Sequence, residues 1–192
     1  MRIFNISKSY KKKKILNKAQ IEINKGDFIL LMGSNGSGKS TLIKLLSGLI
    51  RTDDNKEIKL SSVGYLPEKF TLPKTLAVKD FIDYLEKDNN INLETYIRSL
   101  EIPYKNIKEL SKGNLQKLGL LYLVSCKKDY LILDEPTEGM DINLKRKFVS
   151  ILKELNKKGK TIIISTHSKG EYARINKKEY NVINGVLYEE FN

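Results

Sequence analysis

The chain has 192 residues, 40% of them hydrophobic and 30% charged, so it has the length of one domain and can bury a substantial core. No apolar stretch approaches the roughly 20 residues of a transmembrane helix, and the single cysteine excludes a disulfide within the chain. The net charge of +12 fits an anionic partner such as nucleic acid or a membrane surface, but lysines scattered along the whole chain favour a solvated basic surface. We therefore expect a soluble protein of a reducing compartment, which acts at a membrane only through a partner.

The first 27 residues predict a small antiparallel sheet. Residues 2–7 can form one strand, and residues 11–14 form a polar turn. Residues 19–23 alternate apolar and polar side chains, as a half-buried strand does. Residues 25–27 then provide a turn into the next element.

A phosphate-binding loop follows directly. Phe28–Met32 is an apolar run of the size of a buried strand, and residues 33–40, GSNGSGKS, match the pattern G-x-x-x-x-G-K-[ST]. Leu42, Leu45 and Leu46 recur at helical spacing behind it. The motif thus lies between a strand and a helix, and this setting separates a real phosphate-binding loop from a glycine-rich turn that matches by chance.

The residue types of this loop suit a triphosphate. Glycines allow the backbone to approach the anion and to point successive N–H groups at it, and the positive end of the following helix faces the same point. Lys39 is expected to reach the β- and γ-phosphates, and Ser40 is expected to ligate Mg²⁺. We predict that the whole loop holds the nucleotide, namely Gly33, Ser34, Asn35, Gly36, Ser37, Gly38, Lys39, Ser40 and Thr41.

The middle of the chain changes from strands to helices. A charged loop covers residues 51–56, and short strands are predicted over residues 57–60 and 62–66. Three apolar stripes at helical spacing follow, over residues 78–85, 93–100 and 115–122. Residues from about 73 to 125 therefore predict a helical insert between strands.

The last third of the chain alternates strands with a helix. Strands are predicted over residues 130–133 and Thr161–Ser165, and an apolar stripe over residues 148–155 predicts a helix between them. A short helix over residues 171–175 and a hairpin centred on Asn184-Gly185 follow.

This order of elements predicts an α/β fold. We expect a P-loop NTPase core with a largely parallel sheet, an N-terminal antiparallel β part and an inserted α-helical subdomain, all within a single domain over residues 1–192.

Two acids follow the apolar strand predicted over residues 130–133. Asp134 and Glu135 directly follow this apolar strand, where P-loop enzymes place an acid that holds Mg²⁺. Glu135 could position and deprotonate a water molecule for attack on a γ-phosphate. Two acids can also simply end a strand, but a P-loop requires a metal-holding acid nearby, which favours the catalytic interpretation.

Four further stretches complete a pattern that resembles the nucleotide-binding cassettes of ABC ATPases. LSKGNLQ at 110–116 looks like the LSGGQ signature, and DEPTEGMD at 134–141 looks like the Walker B strand end running into the D-loop. Thr166-His167 resembles the switch histidine, and GYLPE at 64–68 occupies the place of the Q-loop. Order and rough spacing agree over nearly the whole chain.

The resemblance implies roles for several residues. Tyr10 matches the aromatic that stacks on adenine, and His167 matches the residue that contacts the γ-phosphate; the residues alone also allow an ordinary surface tyrosine and a surface histidine. Ser111 and Gly113 match signature residues that touch ATP held by a second ATPase subunit, so the functional unit is expected to be a head-to-tail pair, with a copy of this chain or a relative. The helical subdomain is expected to face a transmembrane permease subunit.

Three positions depart from the family pattern. Lys112 stands where the family usually has glycine, and Asn114 where it usually has glutamine. Glu68 replaces the usual glutamine of the Q-loop; its carboxylate can still ligate Mg²⁺, together with Ser40 and Asp134. Exporters of the family often carry glutamate there, which favours export.

We therefore predict an ATP-binding and ATP-hydrolysing subunit of an ABC exporter, at the cytoplasmic face of the cell membrane through its permease, with Glu135 and His167 as catalytic residues and no nucleic acid as partner. The net charge of +12 keeps open a soluble ABC-type ATPase acting on nucleic acid or ribosomes, although the paired cassettes or long coiled coils of such proteins are not present in this sequence. A non-hydrolysing nucleotide sensor or scaffold is a third possibility.

Overall fold

Two β-sheets organise the chain. The computed structural model describes residues 2–55, 58 and 60–190, so residues 57 and 59 of the strand predicted over 57–60 lie outside the described residues. Within that part of the chain, no helix is both long enough and apolar enough to cross a membrane.

The N-terminal sheet is a long antiparallel hairpin. Strand β1 (Arg2–Tyr10) pairs with strand β2 (Lys13–Ile23), and Tyr10 lies opposite Lys13. Both strands are longer than predicted, and the polar turn predicted over residues 11–14 was wrong beyond residue 12. The lysines at the tip are exposed, so their charge stays in water while the backbone continues the ladder.

The second sheet has six strands in the order β4-β5-β6-β3-β7-β8. All neighbours in it pair in parallel except the last strand, which is antiparallel. The strands are β3 (Phe28–Met32), β4 (Val63–Leu66), β5 (Tyr130–Asp134), β6 (Thr161–Ser165), β7 (Lys178–Ile183) and β8 (Val186–Glu190). The predicted α/β fold with a largely parallel sheet and an antiparallel N-terminal part is confirmed.

Helices cover both faces of the second sheet. They are α1 (Lys39–Leu46), α2 (Val78–Asn89), α3 (Glu94–Leu100), α4 (Lys112–Ser125) and α5 (Ile142–Lys157). The short helix predicted over residues 171–175 is instead a 3-10 turn, Lys169–Tyr172. Helices α2 to α4 follow β4 and precede β5, and we retain as a proposal that residues 73–125 form a subdomain within a single domain.

The central strands are buried on both sides because successive side chains enter two different cores. Leu30 and Ile164 face the core formed with α2 to α5, whereas Leu31 and Ile163 face the core formed with α1 and the N-terminal sheet. Every residue of β3, β5 and β6 is buried, as expected of parallel strands covered on both faces. Cys126 is likewise a buried free thiol.

The hairpin between β7 and β8 fixes the position of β2. Its turn residues, Asn184 and Gly185, have φ angles of 49° and 76°, the left-handed conformation of a two-residue hairpin turn. The carbonyl oxygen of Gly185 accepts a hydrogen bond from the Asn17 N–H at 2.9 Å. A Cβ at position 185 would overlap the carbonyl oxygen of Ile15, so only glycine allows this close approach.

Two glycines of similar backbone conformation separate the cost of φ from the cost of this contact. Gly26 has a φ of 81°, and a Cβ there would meet no atom within 4 Å. We expect Gly26→Ala to lower the free energy of unfolding by about 1–2 kcal/mol, the cost of a left-handed residue with a Cβ. Gly185→Ala should lower the free energy of unfolding by about 1–3 kcal/mol more than Gly26→Ala does, because its methyl group also forces two backbone segments apart.

Urea denaturation of the two variants and the unchanged chain measures both losses. Equal losses for Gly26→Ala and Gly185→Ala would contradict the close approach of the hairpin to β2.

Candidate functional site

The carboxyl ends of β3, β5 and β6 meet at one edge of the sheet, and most of the predicted site residues gather there. The loop after β3 turns sharply because Gly33, Gly36 and Gly38 have φ angles of 145°, 78° and 113°. A Cβ at position 33 would lie 2.5 Å from the Val182 carbonyl oxygen. The loop therefore folds tightly against β7 and leads directly into α1.

Lys39 lies at the centre of this loop. Its side chain is only 6% exposed, and its ammonium group donates hydrogen bonds to the carbonyl oxygens of Gly33 at 2.7 Å and Ser34 at 3.2 Å. The same nitrogen lies 3.7 Å from a carboxylate oxygen of Glu135. A buried cation is thus held between the loop backbone and the first acidic side chain after β5.

The hydroxyl of Ser37 is buried in the same loop. Among the described residues it has no hydrogen-bond partner. Because a buried hydroxyl without a partner costs free energy, it suits a polar group of a ligand that enters the loop.

Asp134 is the most enclosed acid of the site. It is 4% exposed, and its Oδ1 accepts hydrogen bonds from Ser165 Oγ at 2.5 Å and from Ser40 Oγ at 3.2 Å. Among the described residues, no group of three or more His, Cys, Asp or Glu side chains could hold a metal ion by itself. The pair of Ser40 and Asp134 nevertheless fits Mg²⁺, which takes one or two protein oxygens and completes its shell with water and phosphate.

Glu135 has a strained backbone that its neighbours hold in place. Its φ is 43°, rare for a residue with a long side chain, and its N–H donates to both the carbonyl oxygen and the hydroxyl of Ser165, at 3.1 and 2.9 Å. Its carboxylate Oε2 pairs with Nδ1 of His167 at 3.0 Å. The side chain of Glu135 is 13% exposed and that of His167 is 60% exposed, so the pair lies at the border between the interior and the cleft.

Lys39, Ser40, Glu135 and His167 line an open cleft of about 950 Å³. Tyr10, 47% exposed, lies at its rim, with the Lys8 ammonium 5.6 Å from the centre of its ring. Glu68 also reaches this cleft. The lining residues are Tyr10, Lys13, Ile15, Gly33, Ser34, Asn35, Gly36, Gly38, Lys39, Ser40, Thr41, Glu68, Glu135, Glu138 and His167.

Acidic side chains influence one tyrosine beneath the cleft. Burial, together with the nearby negative charges of Asp134 and Glu68, raises the pKa of Tyr65 to about 12. Tyr65 therefore stays protonated at neutral pH and is not a candidate base.

The signature residues lie outside this cleft. Ser111 caps α4 by accepting a hydrogen bond from the Asn114 N–H at 3.3 Å, and neither Ser111 nor Gly113 lines the cleft. Gln116, one turn further, donates to the carbonyl oxygen of Glu138 at 2.6 Å. The fold therefore joins α4 to the border of the cleft but does not bring Ser111 and Gly113 to the phosphate-binding loop.

Sequence reasoning missed several residues of the site. Ser165 binds both Asp134 and the backbone of Glu135, and Lys13, Ile15 and Glu138 line the cleft. A signal for Ser165 was present, because it is a polar residue that ends a buried apolar strand, as Asp134 does. No local pattern marked the other three.

A phosphate-binding loop, a buried lysine and an acid pair at the ends of adjacent parallel strands define the protein as a P-loop nucleotide-hydrolysing enzyme. The model of the ABC transporter family matches residues 16–138. The chain belongs to this family, as an ABC transporter ATP-binding protein with ATPase activity.

Relatives and solved structures agree with this assignment. The chain is 32% identical over 185 residues to an uncharacterized ABC transporter ATP-binding protein of Methanocaldococcus jannaschii, covering 91% of this chain and 71% of the relative. It is 30% identical over 177 residues to the zinc import ATP-binding protein ZnuC of Wolbachia sp. subsp. Brugia malayi, covering 86% and 72%. In fold it is similar to an ATP-binding cassette solved as a post-hydrolysis dimer with ADP and Pi, with a TM-score of 0.80 at 22% identity over 98% of this chain and 97% of that one.

Removing the hydroxyl of Ser165 should slow ATP hydrolysis, although this hydroxyl is not one of the groups expected to contact ATP or Mg²⁺. In Ser165→Ala, Asp134 loses its 2.5 Å partner and can rotate away from Ser40. We expect kcat for ATP to fall about 10-fold or more and the half-saturating Mg²⁺ concentration to rise, since a side chain that orients a metal ligand has effects of this size. Steady-state phosphate release over a Mg²⁺ titration measures both.

Ser125→Ala is the matched control. Ser125 is a buried serine of α4 whose hydroxyl donates to the Tyr122 carbonyl oxygen at 2.9 Å, remote from Asp134. An equal loss of activity in both variants would contradict a specific role for Ser165.

Proposed function

We propose that this chain binds ATP with Mg²⁺ in the cleft, hydrolyses it with Glu135 as general base, and so drives a separate transmembrane permease. The observation that carries the proposal is the constellation of Lys39, Glu135 and His167, joined by contacts of 3.7 and 3.0 Å at the phosphate-binding loop.

The loop provides the binding of phosphate. The loop leads into the N-terminus of α1, where free backbone N–H groups and the helix dipole favour an anion, and the Lys39 ammonium adds a full positive charge. Ser40 and Asp134 would hold Mg²⁺, with Glu68 as a third oxygen donor at the cleft. When bound, the ion would supply positive charge that neutralises the phosphate oxygens. Tyr10 at the rim offers its exposed ring for stacking on adenine.

Hydrolysis requires a base and a group that orients the attacking water. The water oxygen forms a bond to the γ-phosphorus while the bond from that phosphorus to the bridging oxygen breaks, and ADP leaves with the electron pair. A carboxylate oxygen of Glu135 takes the proton of the water. His167 pairs through Nδ1 with Oε2 of this carboxylate and orients it, and it contacts the γ-phosphate. Lys39 stabilises the negative charge that develops on the γ-phosphate.

A second subunit completes the site in this proposal. Ser111 and Gly113 are at the start of α4, outside the cleft of their own chain. We propose that they contact ATP held by the partner in a head-to-tail homodimer. Lys112 between them adds a positive charge, which favours an approach to phosphate rather than opposing it.

An apolar groove offers a place for the permease. Phe70 stacks on Tyr122 with ring centres 6.4 Å apart, and Tyr84, on α2, is 62% exposed beside them. Two lysines, Lys127 and Lys128, and one acid, Asp88, also line the groove, so its charged side chains are positive on balance. We propose that a short amphipathic segment of the permease, with an acidic end, docks here and places the chain at the cytoplasmic face of the membrane.

The direction of transport has support on both sides. Glu68 in place of glutamine favours export, the direction that the sequence predicts. The relatives named as zinc importers favour import. We keep export as the prediction and test it by ATP-driven transport in inside-out vesicles that contain the permease.

Replacing the proposed base should separate binding from hydrolysis. In Glu135→Gln the amide cannot take the proton, so we expect kcat to fall at least about 100-fold while ATP still binds. Because ATP is then not consumed, the variant should elute as a dimer on gel filtration with Mg²⁺ and ATP. Phosphate release, nucleotide binding and elution volume measure the three outcomes.

Glu189→Gln is the charge-matched control, since Glu189 is exposed on β8, four strands away from β5. Unchanged turnover in Glu135→Gln would exclude Glu135 as the base. An unchanged chain that binds ATP but does not hydrolyse it, even with its permease, would favour the nucleotide sensor.

The groove can be tested by placing a charge in it. We expect Tyr84→Asp to abolish copurification with the permease, because it puts a negative charge among apolar side chains where an acidic segment docks. ATP hydrolysis by the isolated chain should stay unchanged. Tyr188→Asp, which changes another tyrosine that is 55% exposed but lies on β8, should still copurify; loss in both variants would remove the groove as the docking site.

A further inference from the structure

Two segments bring the proposed catalytic residues together, and a second contact joins the same two segments behind the cleft. Glu135 starts the turn after β5, and His167 lies in the segment after β6; their side chains meet at 3.0 Å. Two residues beyond Glu135, Thr137 Oγ1 donates a hydrogen bond to Glu171 Oε2 at 2.6 Å. Thr137 and Glu171 do not line the cleft.

Glu171 is fixed at both of its carboxylate oxygens. While Oε2 accepts from Thr137, Oε1 lies 2.6 Å from the Lys145 ammonium in the first turns of α5. Hydrogen bonds of this length to an ionised carboxylate are the strong kind, and using both oxygens leaves the side chain a single orientation. Glu171 therefore connects three elements: the turn after β5, the segment after β6, and α5.

The backbone on either side of this contact is anchored. Tyr172, next to Glu171, is fully buried and packs on Phe28 of β3 with ring centres 6.0 Å apart. Thr137 is 4% exposed. The hydrogen bond between Thr137 and Glu171 thus joins two segments that are each held by buried residues, so it restricts how far one segment can move relative to the other.

The turn after β5 has a reason to need such a bond. Glu135 holds a left-handed φ of 43°, a strained conformation that persists only where surrounding contacts determine it. Ser165 fixes its N–H side through two hydrogen bonds. Thr137 fixes the other side of the turn, and without it the turn can relax and carry the Glu135 carboxylate away from His167.

We propose that Thr137 and Glu171 are positioning residues for ATP hydrolysis, which hold Glu135 in register with His167 without touching the nucleotide. The inference rests on the proposed function, in which Glu135 is the base. It predicts an effect on kcat and little effect on KM for ATP, because the phosphate-binding loop is not part of this contact.

The test removes the hydroxyl of one buried threonine at a time, Thr137 in the turn after β5 or Thr161 in β6. Thr137→Val deletes the donor to Glu171 and keeps the shape of the side chain, whereas Thr137→Ser keeps the donor. Thr161→Val is the control: Thr161 is 1% exposed at the opposite end of β6, and its Oγ1 accepts a hydrogen bond from the Gly26 N–H at 2.9 Å.

We expect Thr137→Val to lower kcat about 10-fold or more, since a small misplacement of a catalytic group has effects of this size, with KM for ATP changed less than about twofold. Thr137→Ser should have a kcat within about threefold of that of the unchanged chain, because serine keeps the hydroxyl that donates to Glu171. Thr161→Val should lose about as much thermal stability as Thr137→Val does, but it should keep the kcat of the unchanged chain. Steady-state kinetics and thermal melting of all four proteins measure these quantities.

The outcomes are distinct. A wild-type kcat in Thr137→Val, or an equal fall of kcat in Thr161→Val, would overturn the positioning role and leave the proposed function intact. A failure of serine to restore kcat would also overturn it, since the hydroxyl would not be the active feature. Absence of ATP turnover in the unchanged chain would overturn the proposed function and this inference with it.

Discussion

A carboxylate buried at the end of a strand needs hydrogen-bond partners, and the site is built around satisfying Asp134. At 4% exposure its carboxylate has little contact with water, so its Oδ1 accepts hydrogen bonds from the hydroxyls of both Ser165 and Ser40. Ser165 lies directly opposite Asp134 in the parallel ladder of β5 and β6. This register places the residues that follow β5 and β6 at the same height in the sheet. The hydrogen bond from Ser40 to Asp134 joins the start of α1 to the same edge.

The strain at Glu135 follows from that register. The chain must leave β5 sharply if the carboxylate of Glu135 is to reach the lysine of the loop, and a positive φ is the result. The backbone accepts this conformation because Ser165 bonds its N–H twice. A site of this kind gains rigidity from groups behind it, which is why Thr137 and Glu171 matter although neither faces the cleft.

The separation of Ser111 from the phosphate-binding loop has a geometric origin. Helix α4 precedes β5 in the chain, and Gln116 joins it to the turn after β5 through the carbonyl oxygen of Glu138. Ser111 at its cap is exposed and does not line the cleft of its own chain. In the proposed function a second chain uses this cap, and the apolar groove beside α2 is the surface that contacts the permease.

Local patterns in the sequence were enough for much of the fold. The bounds predicted for β3 and β6 are those observed, and the Asn184-Gly185 hairpin has the turn conformation that its residues predict. Periodicity succeeds there because fully apolar runs and glycine turns leave the backbone few choices. It failed for the ends of β1 and β2, where exposed lysines read as a turn although the backbone remains paired.

Spacing and residue type in the sequence identify the candidate site residues: the loop, Lys39, Ser40, the acid pair and the single histidine. Which of them meet depends on the tertiary structure. Ser165 with Asp134, and Thr137 with Glu171, are 31 and 34 residues apart in the chain, and no local pattern records such pairs. Parallel strands join distant segments, so the contacts that orient the site arise from strand order and register, which are properties of the whole fold.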